Sequence, residues 1–131
     1  FSDADYSGGG AYLFSSTMSV SNGSSITGND ADDGGGAYLT SDSTMTVADG
    51  SSITGNTAAN SGGGAYLFSS TMSVLNGSGI NENTALSGGG ASNGGGGAYL
   101  TTGSTMVIRR CRSSIHENTV LTTPPYFRAA S

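Results

Sequence analysis

A short sequence unit occurs four times in this chain, and its regularity limits the folds that the chain can adopt. Each copy contains Gly-Gly-Ala-Tyr-Leu, then a Met followed two positions later by Val or Ile, then an Ile followed three positions later by Asn. The steps between successive Ile positions are 27, 27 and 35 residues. A period in this range is typical of solenoids, and it is too short for a β-propeller blade, which needs about 40 residues.

The copies differ in length only between their apolar segments. The first copy reads LFSSTM where the second reads LTSDSTM, and SGGGASNGGGG is inserted between the third and fourth copies. Turns tolerate such changes far better than strands do. The pattern therefore predicts short strands joined by variable turns, in one repeat domain over 1–120 with copies at 8–33, 34–61, 62–94 and 95–120.

We expect an all-β fold, a three-sided parallel β-helix (β-solenoid) of about four to five coils. Successive side chains of a strand point to opposite faces, so AYL and MSV place Ala, Leu, Met and Val inside and Tyr, Thr and Ser outside. Coils stacked on one another then place like residues on like. The predicted core ladders are Leu13, Leu39, Leu67 and Leu100; Met18, Met45, Met72 and Met106; Val20, Val47, Val74 and Ile108; and Ile26, Ile53, Ile80 and Ile115.

The Asn that follows each core Ile is expected to have two roles. We expect it to turn the corner in the left-handed backbone region, which Asn tolerates. We also expect its side chain to join an amide ladder along the axis. The residues concerned are Asn29, Asn56, Asn83 and Asn118.

The distribution of charge excludes several kinds of partner. Nine Asp and Glu residues stand against four Arg, and all four Arg lie in the last 23 residues. Such a surface repels phosphate backbones and anionic head groups, so we expect neither a nucleic-acid partner nor membrane insertion. The single Cys allows no internal disulfide, and one Cys with one His cannot supply four zinc ligands. No cofactor is predicted.

The pairing of GGAY with ITGN, INEN and IHEN resembles the repeats of polymorphic outer-membrane proteins. More broadly, it is similar to bacterial and algal surface proteins of the pectate-lyase-like right-handed β-helix class. The resemblance covers the chain from Gly8 to about Val120, although Tyr stands where that family often has an aliphatic residue, and Ile replaces the commoner Phe. It implies a right-handed shaft, located outside the cell or on its surface and often adhesive.

The fourth copy contains the only cluster of unrepeated polar residues. Catalysis requires one particular arrangement of groups, whereas nearly every polar position of this chain recurs. Three Arg could bind an acidic sugar or a neighbouring subunit, but divergence of a terminal repeat is the favoured interpretation. We therefore expect no enzyme activity. The cluster comprises Arg109, Arg110, Cys111, Arg112, His116 and Glu117.

Two acidic segments are the candidates for binding calcium. DADY and DADD would stack Asp3 over Asp30 and Asp5 over Asp32 if the loops align, and carboxylate oxygens are the ligands that Ca²⁺ prefers. The third copy reads NTAANS and has no acid there. Solvated loop carboxylates are therefore the favoured interpretation, and no metal site is assigned.

Two sequons suggest glycosylation in one turn of the repeat. Asn22 and Asn76 each begin an Asn-Gly-Ser acceptor sequence. Asn-Gly is also common in tight turns, so the sequence leaves both interpretations open.

Two outward rows are candidate binding faces. Aromatic rings can stack on sugars or pack against another chain, and the aromatic row is Tyr12, Tyr38, Tyr66 and Tyr99. A Thr-rich row on the next strand resembles the binding face of some solenoid antifreeze proteins, although Thr is also common on outward strand positions. That row is Thr17 and Ser19, Thr44 and Thr46, Thr71 and Ser73, and Thr105 and Val107.

The ends of the chain suggest how copies assemble. FSDADYSGGG matches the junction before the second copy, so we expect the chain to enter a coil midway as part of a longer assembly. Open strand edges template further strands, and a head-to-tail contact that does not close makes a filament. The segment 121–131, with Pro124 and Pro125, is expected to be an arm.

The expected function is that of a non-enzymatic extracellular structural protein. It would build a surface fibre, appendage or long shaft through head-to-tail self-association. The alternative is an adhesin or glycan-binding module that recognises a glycan or another surface protein through the Tyr row or the basic fourth copy. An ice-binding protein ranks third.

Overall fold

The computed structural model describes residues 3–86, 96–109 and 114–120, and every regular element in them is a β-strand. The first strands are β1 (Asp3–Ser7), β2 (Ala11–Phe14), β3 (Thr17–Val20) and β4 (Ser25–Thr27). The next are β5 (Asp30–Asp33), β6 (Ala37–Thr40), β7 (Thr44–Val47) and β8 (Ser52–Thr54). They are followed by β9 (Thr57–Ser61), β10 (Ala65–Leu67), β11 (Thr71–Leu75) and β12 (Gly79–Asn81). The last are β13 (Thr84–Ala85), β14 (Ala98–Leu100), β15 (Thr105–Arg109), β16 (Ser114–His116) and β17 (Thr119–Val120).

Each strand pairs in parallel with the strand four places later, which produces four sheets. Sheet A contains β1, β5, β9, β13 and β17, and sheet B contains β2, β6, β10 and β14. Sheet C contains β3, β7, β11 and β15, and sheet D contains β4, β8, β12 and β16. The chain thus visits all four sheets before it returns to the first, as a solenoid requires. The predicted all-β parallel solenoid is confirmed.

The number of strands in each coil differs from the prediction, because the structure has four where three were expected. The additional strand is the one in sheet A, which the sequence presents as a polar turn. Its only inward apolar side chain is an Ala: Ala31 in β5, Ala58 in β9 and Ala85 in β13. One Ala among polar residues gives no alternating pattern, and Asp and Asn are uncommon in strands and common in turns.

The core is a set of stacked like residues, as the alternation predicted. The registers place Leu39 beside Leu67, Met45 beside Met72, and Ile53 beside Ile80. These six side chains are fully buried. Side chains alternate in burial along β6 and β7, with Tyr38 and Thr44 on the outer side. Burial of each large side chain contributes about 1.5–3 kcal/mol, and it depends on the neighbouring coil.

Two residues predicted for the core lie largely outside it. Leu100 and Ile108 are 40% and 47% exposed, because β14 and β15 are the last strands of their sheets and have one neighbouring strand each. Four other ladder residues, in the first or last strands of sheets C and D, are only partly buried: Met18, Ile26, Met106 and Ile115. Complete burial of a ladder residue, at 0% exposure, occurs only where a coil lies on both sides, whereas Leu13 and Val20 in the first strands stay 5% exposed.

The described part of the chain contains no helix that is long and apolar enough to cross a membrane. In the sequence, the insertion SGGGASNGGGG follows β13 and precedes β14. Most of it lies outside the described residues.

Candidate interaction surface

The corner between sheets D and A contains a continuous ladder of buried amides. The Asn29 side-chain amide donates to Asn56 Oδ1 at 3.0 Å, and the Asn56 amide donates to Asn83 Oδ1 at 2.9 Å. The Asn83 amide in turn donates to Asn118 Oδ1 at 3.0 Å. The backbone N–H of each Asn donates to the same oxygen as its side chain, as in Asn56 N to Asn83 Oδ1 at 3.0 Å.

In the two inner rungs of the ladder, both hydrogens of the amide have a partner. Asn56 Nδ2 also donates to the carbonyl of Ile26 at 3.0 Å, and Asn83 Nδ2 also donates to the carbonyl of Ile53 at 3.0 Å. Within the described residues, no buried side-chain nitrogen or oxygen lacks a hydrogen-bond partner. The inner rungs therefore link neighbouring coils with every amide hydrogen paired, which is the condition under which buried polar groups stabilise a fold.

The left-handed residue at this corner is not the Asn, so that part of the prediction is wrong. Positive φ values occur one position earlier, at Gly28 (66°), Gly55 (63°), Glu82 (55°) and Glu117 (53°). The preceding residue makes the turn, and the Asn backbone N–H is thereby free to bond with the next coil. If the side chain of the Asn pointed to solvent, it could not bond to the Asn of the next coil.

The outer side of sheet B is an aromatic face, which we define as the row Tyr12, Tyr38, Tyr66 and Tyr99 together with Phe14 and Phe68. Ring centroids are 5.4 Å apart for Tyr12–Tyr38 and 4.8 Å apart for Tyr38–Tyr66, with interplanar angles of 2° and 4°. Tyr66 and Tyr99 are 5.2 Å apart and tilted by 33°. The tyrosines thus form one stack along the solenoid axis, in which ring faces turn toward each other.

The stack changes the acidity of its central phenols. Burial raises the pKa of Tyr38 and of Tyr66, and the negative charge of Asp33 raises both further. Both phenols are consequently neutral at physiological pH. The hydroxyl groups of Tyr38 and Tyr66 can therefore act as hydrogen-bond donors as well as acceptors.

Among the residues whose side chains the structure describes, Phe14 and Phe68 are the aromatic residues outside the tyrosine stack, and they are 62% and 49% exposed. Phe14 is registered with Thr40, and the backbone N–H of Phe68 donates to the carbonyl of Leu39. Their exposure was not predicted, although the alternation of AYLF places Phe on the same side of the strand as Tyr.

Asp33 lies beside this face, at the end of β5. Its carboxylate accepts a hydrogen bond from the backbone N–H of Ser61 at 3.1 Å. Burial raises the pKa of Asp33, the Ser61 hydrogen bond opposes that shift, and the charge of Asp32 adds to it. The two neighbouring strands have Ser7 and Ser61 at this register position, so Asp33 bears a charge where both neighbours are neutral.

We expect Asp33→Asn to stabilise the protein at neutral pH. Because the pKa of Asp33 is higher in the folded state than in the unfolded state, protonation of this carboxyl favours folding. The stabilisation is fully present below about pH 3.9 and is lost as the pH rises through the folded-state pKa. Asn removes the charge and keeps an oxygen for Ser61 N–H. Urea midpoints should be higher for the variant at pH 7 and should converge with the wild type below about pH 3.9. Asp33→Ser, which copies the neighbouring strands, should behave alike; a lower midpoint for both variants at pH 7 would contradict the assignment.

The Thr-rich row occupies the outer side of sheet C in regular register. Thr17 is registered with Thr44 and Ser19 with Thr46. In the last strand, Val107 is registered with Ser73, so an apolar side chain interrupts the hydroxyl row. The backbone positions of the row are therefore regular, but its side chains vary among Thr, Ser and Val.

The acidic segments do not assemble a metal site in the described part of the chain. Asp3 is registered with Asp30, as predicted. The register then shifts between Ala4 and Ser7, and no register pair joins Asp5 to Asp32, so their stacking stays a prediction. No group of three or more His, Cys, Asp or Glu residues that could hold a metal ion occurs among the described residues. The side chains of Asp3 and Asp5 lie outside the described part.

Both sequons lie in exposed turns with two successive left-handed residues. The φ values are 59° and 72° at Asn22 and Gly23, and 54° and 77° at Asn76 and Gly77, as in a type I′ turn. Asn76 Nδ2, the atom that a glycan would modify, donates to Asp49 Oδ1 at 2.9 Å. Glycosylation at Asn22 and Asn76 stays a prediction.

The unrepeated cluster of the fourth copy is described only in part. Arg109 ends β15, registered with Leu75, and is exposed. Arg110, Cys111 and Arg112 lie outside the described residues, as does the side chain of His116. Grouping of these residues into one binding site stays a prediction.

Scans against models of protein families, against curated proteins and against solved structures found no match for this chain.

Proposed function

We propose that this protein is a non-enzymatic structural module of an extracellular or cell-surface shaft, in which solenoid coils stack head to tail. The observation that carries the proposal is the amide ladder, because it links every described coil to the next through buried hydrogen bonds. The same residue types repeat at the Leu, Met, Ile, Tyr and Asn positions of the coil, so each added coil extends these ladders without a new kind of contact.

Interchangeable coils also favour assembly between copies. The segments that begin at Gly8 and Gly62 share thirteen successive residues, GGGAYLFSSTMSV. A coil of one copy would therefore offer a coil of another the same partners that it has within its own chain: Leu on Leu, Met on Met and Tyr on Tyr. A contact of this head-to-tail kind does not close and propagates as a filament.

Electron microscopy and sedimentation of the purified 131-residue chain test the proposal. We expect filaments, and we expect Met18→Glu to abolish them, because stacking would bury an unpaired carboxylate at a core position. Ser19→Glu is the matched control: it adds the same charge to the same strand on the outer side, and filaments should persist. Discrete wild-type particles, or equal loss with both variants, would contradict end-to-end stacking.

Glycan binding is the second candidate, and the exposure of Phe14 and Phe68 favours it. Open aromatic rings can stack on sugar rings, whereas the tyrosine faces are largely turned toward one another. On a glycan array, Phe14→Ser and Phe68→Ser should abolish retention if the aromatic face binds sugars. Ser25→Ala, on the outer side of sheet D, is the control that should leave retention unchanged.

A further inference from the structure

We propose that the tyrosine stack is a site of covalent modification, at which a peroxidase or another one-electron oxidant joins neighbouring coils through a dityrosine bond. The preferred pair is Tyr38 and Tyr66. This inference goes beyond the structural role, since it concerns the chemistry of one face and holds whether or not copies assemble.

Geometry selects the pair. The rings of Tyr38 and Tyr66 have the shortest centroid separation in the stack, 4.8 Å, and are parallel within 4°. Their backbones are Cα partners in β6 and β10, so the side chains start from neighbouring parallel strands about 4.8 Å apart. Rotation about the side-chain bonds is sufficient to bring two ring carbons together, because the outer side of the sheet faces solvent.

The stack also gives the oxidant access to the central rings. Tyr12 is 55% exposed, and its ring lies 5.4 Å from that of Tyr38. A radical formed on Tyr12 can therefore take an electron from the nearby ring of Tyr38, which moves the radical to Tyr38. Tyr38 and Tyr66 are themselves partly exposed, so direct oxidation is open to them as well.

The chemistry balances with hydrogen peroxide as the oxidant. Each of the two phenols loses one electron and one proton, and the phenoxyl radicals couple at ring carbons next to the hydroxyl groups. The coupling forms one C–C bond, and each coupled carbon then loses its hydrogen as the ring regains aromaticity through its hydroxyl. The two electrons and two protons removed overall reduce one peroxide molecule to two water molecules.

The positions of the four methionines allow the bond to be mapped. Cyanogen bromide cleaves after Met18, Met45, Met72 and Met106, so Tyr38 falls in fragment 19–45 and Tyr66 in fragment 46–72. The folded chain would be treated with horseradish peroxidase and hydrogen peroxide at low protein concentration. Any methionine sulfoxide would be reduced with thiol before cleavage. A cross-linked pair has lost two hydrogens and contains a lactone at position 45, which distinguishes it by mass from an uncleaved peptide.

We expect the fused pair 19–45 and 46–72 to be the main product, in chains that migrate as monomers on a denaturing gel. Tyr38→Phe should eliminate this product, and Tyr12→Phe should retain it. In urea the yield should fall several-fold, since unfolding separates the rings. After oxidation, the urea midpoint of the wild type should rise and that of Tyr38→Phe should not.

Three results would overturn the proposal: equal yields in folded and unfolded protein, bonds formed only between chains, or bonds confined to Tyr6 and Tyr126, which do not belong to the repeated tyrosine row. The comparison of folded with unfolded wild type does not depend on any variant. The proposal can therefore be tested even if a variant fails to fold.

Discussion

Replacing Asn56 with Ala is expected to lower the free energy of unfolding by about 3–5 kcal/mol, which places it among the most damaging single substitutions in this chain. The loss leaves the backbone N–H and the side-chain amide of Asn29 without their acceptor. It also removes the donor to the carbonyl of Ile26. These groups lie in the buried corner, where each unsatisfied donor or acceptor costs about 1–3 kcal/mol. Urea unfolding followed by circular dichroism measures the change.

Asn60→Ala is the matched control, because Asn60 is the same residue type in an exposed position of the adjoining strand β9. Its effect should stay within about 0.5 kcal/mol. Asn56→Asp sharpens the test, since it keeps the shape and the acceptor but cannot donate to Asn83 Oδ1. If Asn56→Ala cost no more than Asn60→Ala, the amide ladder would not be a source of stability.

The core ladders could be predicted from sequence because their signal is repeated and local. Alternation within AYL and MSV assigns Leu39 and Met45 to the inside of each coil, and the repeat period sets Leu on Leu and Met on Met. Both conclusions depend only on strand geometry and on the sequence itself. The exposed ends of the ladders were not predicted, since Leu100 and Leu39 have the same local pattern and differ only in how many coils flank them.

Sheet A and the corner geometry could not be predicted in the same way. One inward Ala in β5 or β9 gives no alternation, so the strand is recognisable only through its pairing with its neighbours. At the corner, Asn is the usual candidate for a left-handed conformation, and Gly28 precedes Asn29 as an equally good one. The buried ladder decides between them, because it needs the Asn backbone and side chain to point along the axis.

The aromatic face shows a further limit of the sequence. The outward direction of Tyr38 and Tyr66 follows from alternation, and so does their alignment once the register is known. The parallel arrangement of the rings does not follow, because ring orientation depends on contacts with the neighbouring rings. Only the structure therefore separates a row of open ring faces, suited to sugars, from a stack.

Replacing Gly35 with Ala is expected to lower the free energy of unfolding by more than about 4 kcal/mol or to prevent folding. A Cβ atom there would overlap the carbonyl oxygen of Thr57 and would lie 2.7 Å from the carbonyl oxygen of Gly63. Both are backbone atoms of the next coil, and the Gly35 N–H also donates to Gly62 of that coil at 3.1 Å. Relief would require two coils to separate where their hydrogen bonds hold them together. Thermal and urea unfolding would measure the loss.

Gly23→Ala and Gly50→Ala separate this steric effect from the general cost of replacing a glycine. Both residues have positive φ, 72° and 74°, but an added Cβ would meet no atom within 4 Å at either. Their substitution should cost only the conformational penalty, about 1–2 kcal/mol. Because successive coils approach closely at Gly35, Gly35→Ala should lower the free energy of unfolding more than Gly23→Ala or Gly50→Ala. Backbone conformation alone would predict the opposite order, since Gly35 does not have a positive φ. Equal losses at Gly35 and Gly50 would mean that the glycine corner can open to admit a side chain and that the close approach of the coils is not essential.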